Sequence, residues 1–319
     1  MNKILENLSK SNFSLTGLDI GARRGFITDL LPISTVVDAI GFEPDKKECN
    51  ILNKKTNSHP WKNLKYLPIA LGSGEKAELN LYRQRGCSSL LEADIELAKI
   101  FSRDDYFIYD GQVSVPVMSL DEAAKNYGFE EAAYMKIDIQ GAEMDVFLSG
   151  KKLLSESLMG IRIETSFVHL YKEQPLFSDI DIFLRGLGFS LMRFMDQYHW
   201  RRTTRFKYPM RSKGRYPFSR GQLIHGDALY LRIPENMPKQ TNEDKKKLLE
   251  LALISMAYGF IDHAEAALNQ DGVAEYVRKN YNIDTNQLLL EFSKKFRKKT
   301  RIDLLMKVIL DVRNIIKNI

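Results

Sequence analysis

The sequence Leu-Asp-Ile-Gly-Ala-Arg-Arg-Gly at residues 18–25 is followed by Gly-Phe-Glu-Pro at residues 41–44. The apolar run before the first glycine predicts a β-strand, and the glycine segment predicts a turn that opens a helix at about residues 24–31. A second apolar run then ends in Glu43. This order is typical of a βαβ unit, which binds its ligand at the carboxyl ends of parallel strands. The acid after the second strand usually accepts hydrogen bonds from ribose hydroxyls.

The spacing of the glycines distinguishes between nucleotide-like cofactors. Gly21 and Gly25 form a Gly-x-x-x-Gly pattern with Asp19 two residues ahead, whereas dinucleotide sites carry Gly-x-Gly-x-x-Gly. The middle glycine of that motif lets the backbone approach a pyrophosphate. A turn that lacks it and carries an aspartate suits a cofactor with an amine and no phosphate. We therefore expect S-adenosylmethionine rather than a nicotinamide dinucleotide.

The composition is that of a soluble globular protein. The chain has 319 residues, of which 44% are hydrophobic and 28% charged, as in ordinary globular domains. No apolar run approaches the roughly 20 residues of a membrane span, and the first ten residues do not resemble a signal peptide. The two cysteines, Cys49 and Cys87, fit neither a disulfide framework nor a metal-ligand spacing. We expect a cytoplasmic protein.

Apolar runs alternate with helical patterns from about residue 15 to residue 233, which predicts repeated βαβ units. The expected main strands lie at about 15–20, 36–42, 64–69, 133–139, 160–165, 188–194 and 227–233. The other expected helices lie at about 45–56, 141–154 and 175–187, and a side hairpin is expected from Glu78 to Tyr82 and from Gln112 to Val117. The last two strands could pair antiparallel. The predicted fold is α/β, with a doubly wound, seven-stranded, mostly parallel sheet.

The pattern changes after Pro238. Residues 242–319 contain no proline, and their apolar residues recur at helical spacing. We therefore predict a domain over residues 1–238 and a C-terminal α-helical extension over residues 239–319. The extension is interpreted as an appended bundle that caps the site, forms a homodimer or contacts another partner.

The ends of parallel strands share one rim of the sheet, so Asp19, Glu43, Asp138 and Glu164 should converge. Glu43 is expected to bind the ribose and Asp19 the ammonium group of the cofactor. The full set of predicted cofactor-binding residues is Asp19, Gly21, Ala22, Arg23, Gly25, Glu43, Pro44, Ala70 and Asp138.

Methyl transfer to an alcohol benefits from a base within reach of the hydroxyl proton. Asp138 is the first candidate for that base, and Lys136 is expected on the opposite face of its strand. Glu143 is expected to position Asp138 or the substrate, and His225 is a further candidate base because it could face the crevice. Asp138 and Glu143 could instead act only as turn and helix caps.

Several ordered motifs make the chain resemble the FkbM family of class I S-adenosylmethionine-dependent methyltransferases over roughly residues 15–233. They are Asp19-Ile20-Gly21-Ala22 with Gly25, Phe42-Glu43-Pro44, Ala70-Leu71-Gly72, Ser88-Ser89-Leu90, Ser119-Leu120-Asp121, Lys136-Ile137-Asp138-Ile139 with Gly141-Ala142-Glu143, Ile163-Glu164 and Gly226-Asp227-Ala228-Leu229. The resemblance implies methyl transfer to a hydroxyl, often of a sugar or a polyketide-like product. The sequence departs from the family pattern at Arg23, where asparagine is common, and at Gln140, where glutamate is common.

A basic segment at about residues 193–220 carries nine Lys and Arg residues against one acid, Asp196. We expect it to form an insertion that overhangs the acceptor side of the site and binds a hydroxyl-bearing, anionic glycan or small molecule. The predicted acceptor contacts are Glu164, Trp200, Arg201, Arg202 and Arg205. Because aromatic residues interleave with the arginines, a nucleic-acid methyltransferase is an alternative. A binding module without catalysis is another alternative.

A divalent cation is also considered at Asp138, Glu164 and Asp227, since carboxylate oxygens suit hard cations. No ligand spacing in the sequence demands one, so no metal ligands are predicted.

Overall fold

A computed structural model describes residues 3–11, 13–55, 59–74, 76–203 and 219–318. The strands are β1 (Leu15–Ile20), β2 (Val37–Phe42), β3 (Asn63–Leu67), β4 (Ala70–Leu71), β5 (Ala77–Tyr82), β6 (Tyr109–Val115), β7 (Val117–Met118), β8 (Tyr134–Ile137), β9 (Gly160–Ser166), β10 (Phe189–Trp200) and β11 (Gln222–Arg232). The helices are α1 (Lys3–Lys10), α2 (Lys46–Lys54), α3 (Ile95–Ile100), α4 (Leu120–Tyr127), α5 (Glu143–Ser149), α6 (Lys151–Glu156), α7 (Phe177–Gly186), α8 (Asn242–Tyr258), α9 (Ile261–Leu268), α10 (Val273–Tyr281) and α11 (Thr285–Asn318).

The main sheet has the predicted architecture. Within the described residues it contains seven strands in the order β10-β11-β9-β8-β1-β2-β3. The five strands from β9 to β3 run parallel, whereas β11 is antiparallel to both of its neighbours. The predicted side hairpin also forms, from β5 and β6. These pairings confirm a doubly wound, mostly parallel sheet and place the ends of β1, β2, β8 and β9 at one rim.

The helix expected at residues 24–31 does not form, and that prediction was wrong. Residues 21–30 are an irregular turn, and the next element is a short 3₁₀ helix at Leu31–Val36. Two backbone amides of the turn bind side chains instead of carbonyl groups one helical turn earlier. The amide of Phe26 donates to Tyr66 Oη at 2.9 Å, and that of Ile27 donates to Asp19 Oδ2 at 2.7 Å. Gly25, with φ at +98°, also lies outside helical geometry.

The helix expected at residues 141–154 is divided at Gly150 into α5 and α6. A Cβ atom on Gly150 would lie only 2.3 Å from Leu120 Cδ2. Glycine at this position therefore lets α4 pack closely against the junction of the two helices, and the same glycine ends α5.

The last two strands are longer than predicted. Strand β10 reaches Trp200 and β11 begins at Gln222, so the first part of the expected basic insertion is paired strand. The hairpin has three register irregularities, which let it bend. His225 therefore lies within a strand, opposite Tyr198, rather than before one.

Apolar clusters cover both faces of the sheet. Helices α4 to α7 pack on one face. The other face packs against α1, α8 and α9, and its cluster joins Leu15 and Leu231 of the sheet to Leu251 of α8. Every residue of α8 from Leu248 to Met256 is buried. Helices α8 and α9 therefore form a layer against this face of the sheet, and one apolar cluster contains residues from both sides of position 238.

Replacing Gly21 by alanine should destabilise the protein by about 2 kcal/mol or more. Gly21 has φ at +90°, and a Cβ atom there would lie 2.1 Å from the carbonyl oxygen of Asp138. Gly186→Ala is the matched control, because a Cβ atom at Gly186 meets no atom within 4 Å. Urea unfolding measures both variants. Equal midpoints for the two would contradict the close approach of β1 to residue 138.

Candidate functional site

A cavity of about 1050 Å³ opens at the rim where β1, β2, β8 and β9 end. Its volume is at the upper end for small-molecule sites. The predicted site residues that line it are Asp19, Gly21, Arg23, Gly25, Glu43, Pro44, Ala70, Lys136, Asp138, Glu164, Trp200 and His225. Strand ends thus bring together residues from widely separated parts of the sequence, as expected for a doubly wound sheet.

The floor of the cavity holds a buried ion pair. Asp19 and Lys136 lie directly opposite each other on β1 and β8, and Lys136 Nζ lies 3.3 Å from Asp19 Oδ1 and 3.5 Å from Asp138 Oδ2. The expectation that Lys136 faces away from Asp138 was wrong, because side chains two residues apart along a strand point to the same face. One ammonium group therefore balances two acids.

Burial and the neighbouring charges together set the protonation states of Asp19 and Lys136. Burial raises the pKa of Asp19 above its usual value, although the Lys136 ammonium opposes that shift. For Lys136, burial alone would lower the pKa, but the carboxylates of Asp19 and Asp138 outweigh it and raise the pKa. Lys136 therefore remains an ammonium. Asp19 Oδ1 is paired with the Lys136 ammonium at 3.3 Å, and Asp19 Oδ2 accepts from the Ile27 amide at 2.7 Å, so the buried carboxylate is held in place beside the cavity.

Glu43 is freed from capping the helix that follows it. Asp45 is the N-cap of α2, and its side chain accepts hydrogen bonds from two backbone amides. Glu43 Oε1 accepts from the Asp45 amide at 2.9 Å, while Glu43 Oε2 accepts nothing from the described residues. Burial raises the pKa of Glu43. A buried carboxylate with one oxygen unused suits a pair of ribose hydroxyls.

Arg23 and Ala22 occupy different positions around this end of the cavity. The Arg23 guanidinium lies on the lining, 3.8 Å from Asp45 Oδ2, and its side chain is partly exposed. Ala22 is buried, and its amide donates to the Phe42 carbonyl at 3.0 Å. Ala22 therefore shapes the turn without lining the cavity, whereas Arg23 is available to a carboxylate of the cofactor.

Gln140 bridges two acids, an arrangement that the sequence analysis missed. Its Nε2 donates to Asp138 Oδ1 at 2.8 Å and to Glu164 Oε2 at 2.7 Å. Its Oε1 accepts from Tyr171 Oη at 3.0 Å, and its φ is +61°, in the left-handed region. Such strain in a residue other than glycine persists only where its surroundings hold it. The sequence carried no signal for the bridge, because Tyr171 and Glu164 are distant along the chain.

His225 on β11 and Glu164 on β9 form a second polar pair in the cavity wall. His225 Nδ1 lies 3.0 Å from Glu164 Oε1, and the imidazole stacks on the Tyr198 ring at 4.5 Å between centroids. Burial lowers the pKa of His225. Burial, together with the nearby Asp138 carboxylate, raises the pKa of Glu164. The imidazole is therefore held neutral and oriented, as a general base requires.

Arg162 links this wall to the C-terminal helices, and the sequence analysis missed it as well. Its guanidinium donates to both oxygens of Asp29 at 2.7 and 2.8 Å and, through Nε, to Asp227 Oδ2 at 2.8 Å. Tyr258, the last residue of α8, donates to Asp29 Oδ2 at 2.6 Å. Although burial opposes it, the two acids raise the pKa of Arg162 above its normal value. The charge of Asp227 is thereby balanced.

These donors take the place of the cation that was considered at Asp138, Glu164 and Asp227. Gln140 and Arg162 donate hydrogen bonds to the three acids. Across the described ranges, no group of three or more His, Cys, Asp or Glu residues is arranged to hold a metal ion.

Glu143 does not line the cavity. It is buried, and its Oε1 accepts hydrogen bonds from the amides of Ile139 at 2.9 Å and Gly141 at 3.2 Å. Burial raises its pKa to about 7. Glu143 therefore holds the turn that positions Asp138 and Gln140, and its carboxyl group does not reach the space where a substrate would bind.

The predicted acceptor contacts are only partly on the cavity wall. Trp200 lines it, whereas Arg201 donates to the Ser219 carbonyl at 2.6 Å and the Arg202 guanidinium lies 5.7 Å from the centre of the Phe101 ring. Arg205 and most of the basic segment lie outside the described residues. The cations that do line the cavity are Arg23, Arg24, Arg85, Arg103, Lys136 and Arg162. All six precede the basic segment in sequence, and none of them was predicted as an acceptor contact.

No helix within the described residues is both long enough and apolar enough to cross a membrane.

Comparison with known proteins assigns the chain to a family. A sequence model of the Methyltransferase FkbM domain matches residues 19–191. A curated relative, the 2-O-methyltransferase NoeI of Sinorhizobium fredii, is 26% identical over 172 residues, which is 52% of this chain and 69% of the relative. The match to the family model begins at Asp19 and spans Glu43, Asp138, Gln140 and Glu164.

Two solved structures resemble the chain more distantly. The magnesium protoporphyrin IX methyltransferase ChlM of Synechocystis PCC 6803 with bound SAM is 12% identical, with a TM-score of 0.31 over 72% of this chain and 76% of that one. Sp1610 of Streptococcus pneumoniae is 11% identical, with a TM-score of 0.34 over 93% of this chain and 98% of that one. The fold assignment rests on the strand order and not on these superpositions.

Substitutions of Glu143 test its role in the turn. Glu143→Gln keeps an oxygen for the two backbone amides and should fold normally. Glu143→Ala leaves buried amides unsatisfied and should lower the free energy of unfolding by about 2 kcal/mol.

The pH dependence of stability gives a second test. Because the pKa of Glu143 is raised to about 7, this carboxyl group keeps its proton in the folded wild type at a pH where the unfolded chain has lost it. Wild-type stability should therefore fall as the pH rises from about 4.5 to 7, and the glutamine variant should lack this contribution. Urea unfolding at several pH values measures the difference. Parallel profiles for wild type and Glu143→Gln would contradict the assignment.

Proposed function

Because the chain belongs to the FkbM methyltransferase family, we propose that it is an S-adenosylmethionine-dependent O-methyltransferase whose acceptor is a hydroxyl of a glycan, glycoconjugate or natural product. The observation that carries the proposal is the neutral, oriented His225 in the same cavity as Asp19 and Glu43. The curated relative, which is a 2-O-methyltransferase, supports a hydroxyl as the acceptor.

The end of the cavity near β1 and β2 suits the donor. Asp19, which lines the cavity beside Lys136, would attract the ammonium group of the cofactor. Glu43 would accept from the ribose hydroxyls, and Arg23 would pair with the carboxylate. S-adenosylmethionine supplies a methyl group already activated on a sulfonium. The protein's contribution is therefore to align the acceptor and to remove its proton.

The proton of the acceptor hydroxyl would pass to His225. When Glu164 is ionised it accepts from His225 Nδ1–H, which leaves Nε2 as the acceptor on the other side of the ring. Asp138, the first candidate from sequence, has both of its oxygens engaged, because Lys136 Nζ lies 3.5 Å from Oδ2 and Gln140 Nε2 donates to Oδ1 at 2.8 Å. Asp138 would instead hold the floor of the cavity in place.

The part of the cavity where the acceptor would bind carries both aromatic side chains and arginines. Tyr198 and Trp200 line it together with Arg103, which lies 5.2 Å from the centre of the Tyr106 ring. Aromatic faces offer flat apolar surface to a sugar ring, while arginines suit carboxylate or phosphate groups on the acceptor. These features support an anionic glycan or glycoconjugate. The sequence-based alternative of a nucleic-acid substrate rests on a basic segment that lies largely outside the described residues.

Glu43→Gln should weaken S-adenosylmethionine binding by about tenfold or more, because hydrogen bonds to a charged acceptor are worth about 1.5–3 kcal/mol. Isothermal titration calorimetry measures the change. Glu48→Gln is the matched control, since it removes the same charge from α2 at a position that does not line the cavity. Equal affinities in the two variants would remove Glu43 from the cofactor site.

His225→Gln should lower kcat by about 100-fold or more, the usual contribution of a general base, and leave S-adenosylmethionine affinity unchanged. The wild-type rate should fall at acidic pH, where the His225–Glu164 pair takes up a proton, because a protonated imidazole accepts none. The variant should lack this fall in rate at acidic pH, the acidic limb of the pH–rate profile. A labelled-methyl assay across pH with a panel of glycan acceptors measures both effects.

Asp138→Asn serves as the comparison for that experiment. It should keep the acidic limb and lower kcat less than His225→Gln does. The reverse order, with the acidic limb lost in Asp138→Asn, would assign the base to Asp138.

A further inference from the structure

The long helix α11 has a packed part and a projecting part. Leu288, Leu289 and Phe292 are buried against the other C-terminal helices. From Ser293 to Arg313 no residue is buried, so this stretch extends beyond the core. Residues 302–312 nevertheless carry large apolar side chains, each at least 45% exposed: Ile302, Leu304, Leu305, Met306, Val308, Ile309, Leu310 and Val312.

Residues 302–312 of the projecting part confine their polar side chains to one side of the helix. Its polar residues Asp303, Lys307 and Asp311 recur every four positions, which places them along one stripe of the helix. Apart from Leu310, the exposed apolar side chains lie around the rest of the helix. A continuous apolar surface of this kind on a projecting helix calls for a partner.

A dense cationic cluster precedes this apolar surface. Between residues 293 and 302 there are six Lys and Arg residues and no acid: Lys294, Lys295, Arg297, Lys298, Lys299 and Arg301. All six are exposed. A helix that joins four to eight cations to a broad apolar face is typical of segments that lie on anionic membranes.

We propose that the projecting part of α11, residues 293–313, docks on an anionic lipid surface, with its apolar side chains in the interface and its cations on the headgroups. Charge selects this partner over a second copy of the chain. A parallel pair of α11 helices would set six cations beside six others, and an antiparallel pair would offer each cluster only Asp303 and Asp311. A surface of anionic headgroups complements all six cations. The proposal does not depend on the identity of the methyl acceptor.

Sedimentation of the full chain with lipid vesicles tests the proposal. Binding should be at least about tenfold tighter to vesicles in which about a third of the phosphatidylcholine is replaced by phosphatidylglycerol than to phosphatidylcholine alone. Leu305→Asp combined with Ile309→Asp should weaken that binding by about 100-fold. Lys298→Glu combined with Lys299→Glu should abolish the preference for anionic vesicles.

The control is Ile182→Asp, which replaces an apolar side chain that is 72% exposed on another helix by an aspartate. It should bind vesicles as the wild type does. All variants should keep the wild-type urea midpoint, because the substituted side chains are exposed. Equal binding by wild type and the Leu305→Asp/Ile309→Asp variant would overturn the proposal. So would a wild-type dimer that this variant dissociates, with no vesicle binding by either, since a second copy would then be the partner.

Discussion

The buried pair of Asp19 and Lys136 is the constraint around which the site is organised. The two residues are directly opposite on the central strands β1 and β8, so pairing them fixes which strands are neighbours and in which register. A buried ion pair adds little net stability, because desolvation offsets the attraction. Its value here is positional, since Lys136 also reaches Asp138. One ammonium therefore places two acids on the cavity floor, beside a turn that only glycine at position 21 can accommodate.

The turn at residues 21–30, where a helix was expected, is connected with the position of α8. Asp19 and Tyr66 accept hydrogen bonds from the amides that follow Gly25, and this segment therefore makes a turn where a helix would otherwise cover the sheet. The apolar face that remains is covered by α8, in which every residue from Leu248 to Met256 is buried. A helix with no polar face is stable only inside a core. The Tyr258–Asp29–Arg162 chain then joins the end of α8 to the cavity wall.

The sequence predicts those features that depend on local pattern. Apolar runs located the seven main strands, and the rule that parallel strands end at one rim brought Asp19, Glu43, Asp138 and Glu164 to one cavity. Features that depend on distant partners could not be predicted in this way. The amides of the turn are bound by Asp19 and Tyr66, and Gln140 is held by Tyr171, contacts that no periodicity encodes. The orientation of Lys136 does follow from a local pattern, because strand alternation places residues 136 and 138 on the same face.

Gln140 explains how so many acids coexist at this rim. Asp138 and Glu164 both accept from its amide nitrogen, so one neutral donor lies between two acids whose proximity, together with burial, raises the pKa of Glu164. The glutamate that the family resemblance led us to expect at this position would add a third carboxylate and remove the shared donor. An amide can donate to two carboxylates at once, which a carboxylate cannot do. With glutamine here, Asp138 can stay paired with Lys136 while Glu164 remains free to orient His225. With this departure from the family pattern, a single amide joins the Asp138–Lys136 pair to the Glu164–His225 pair.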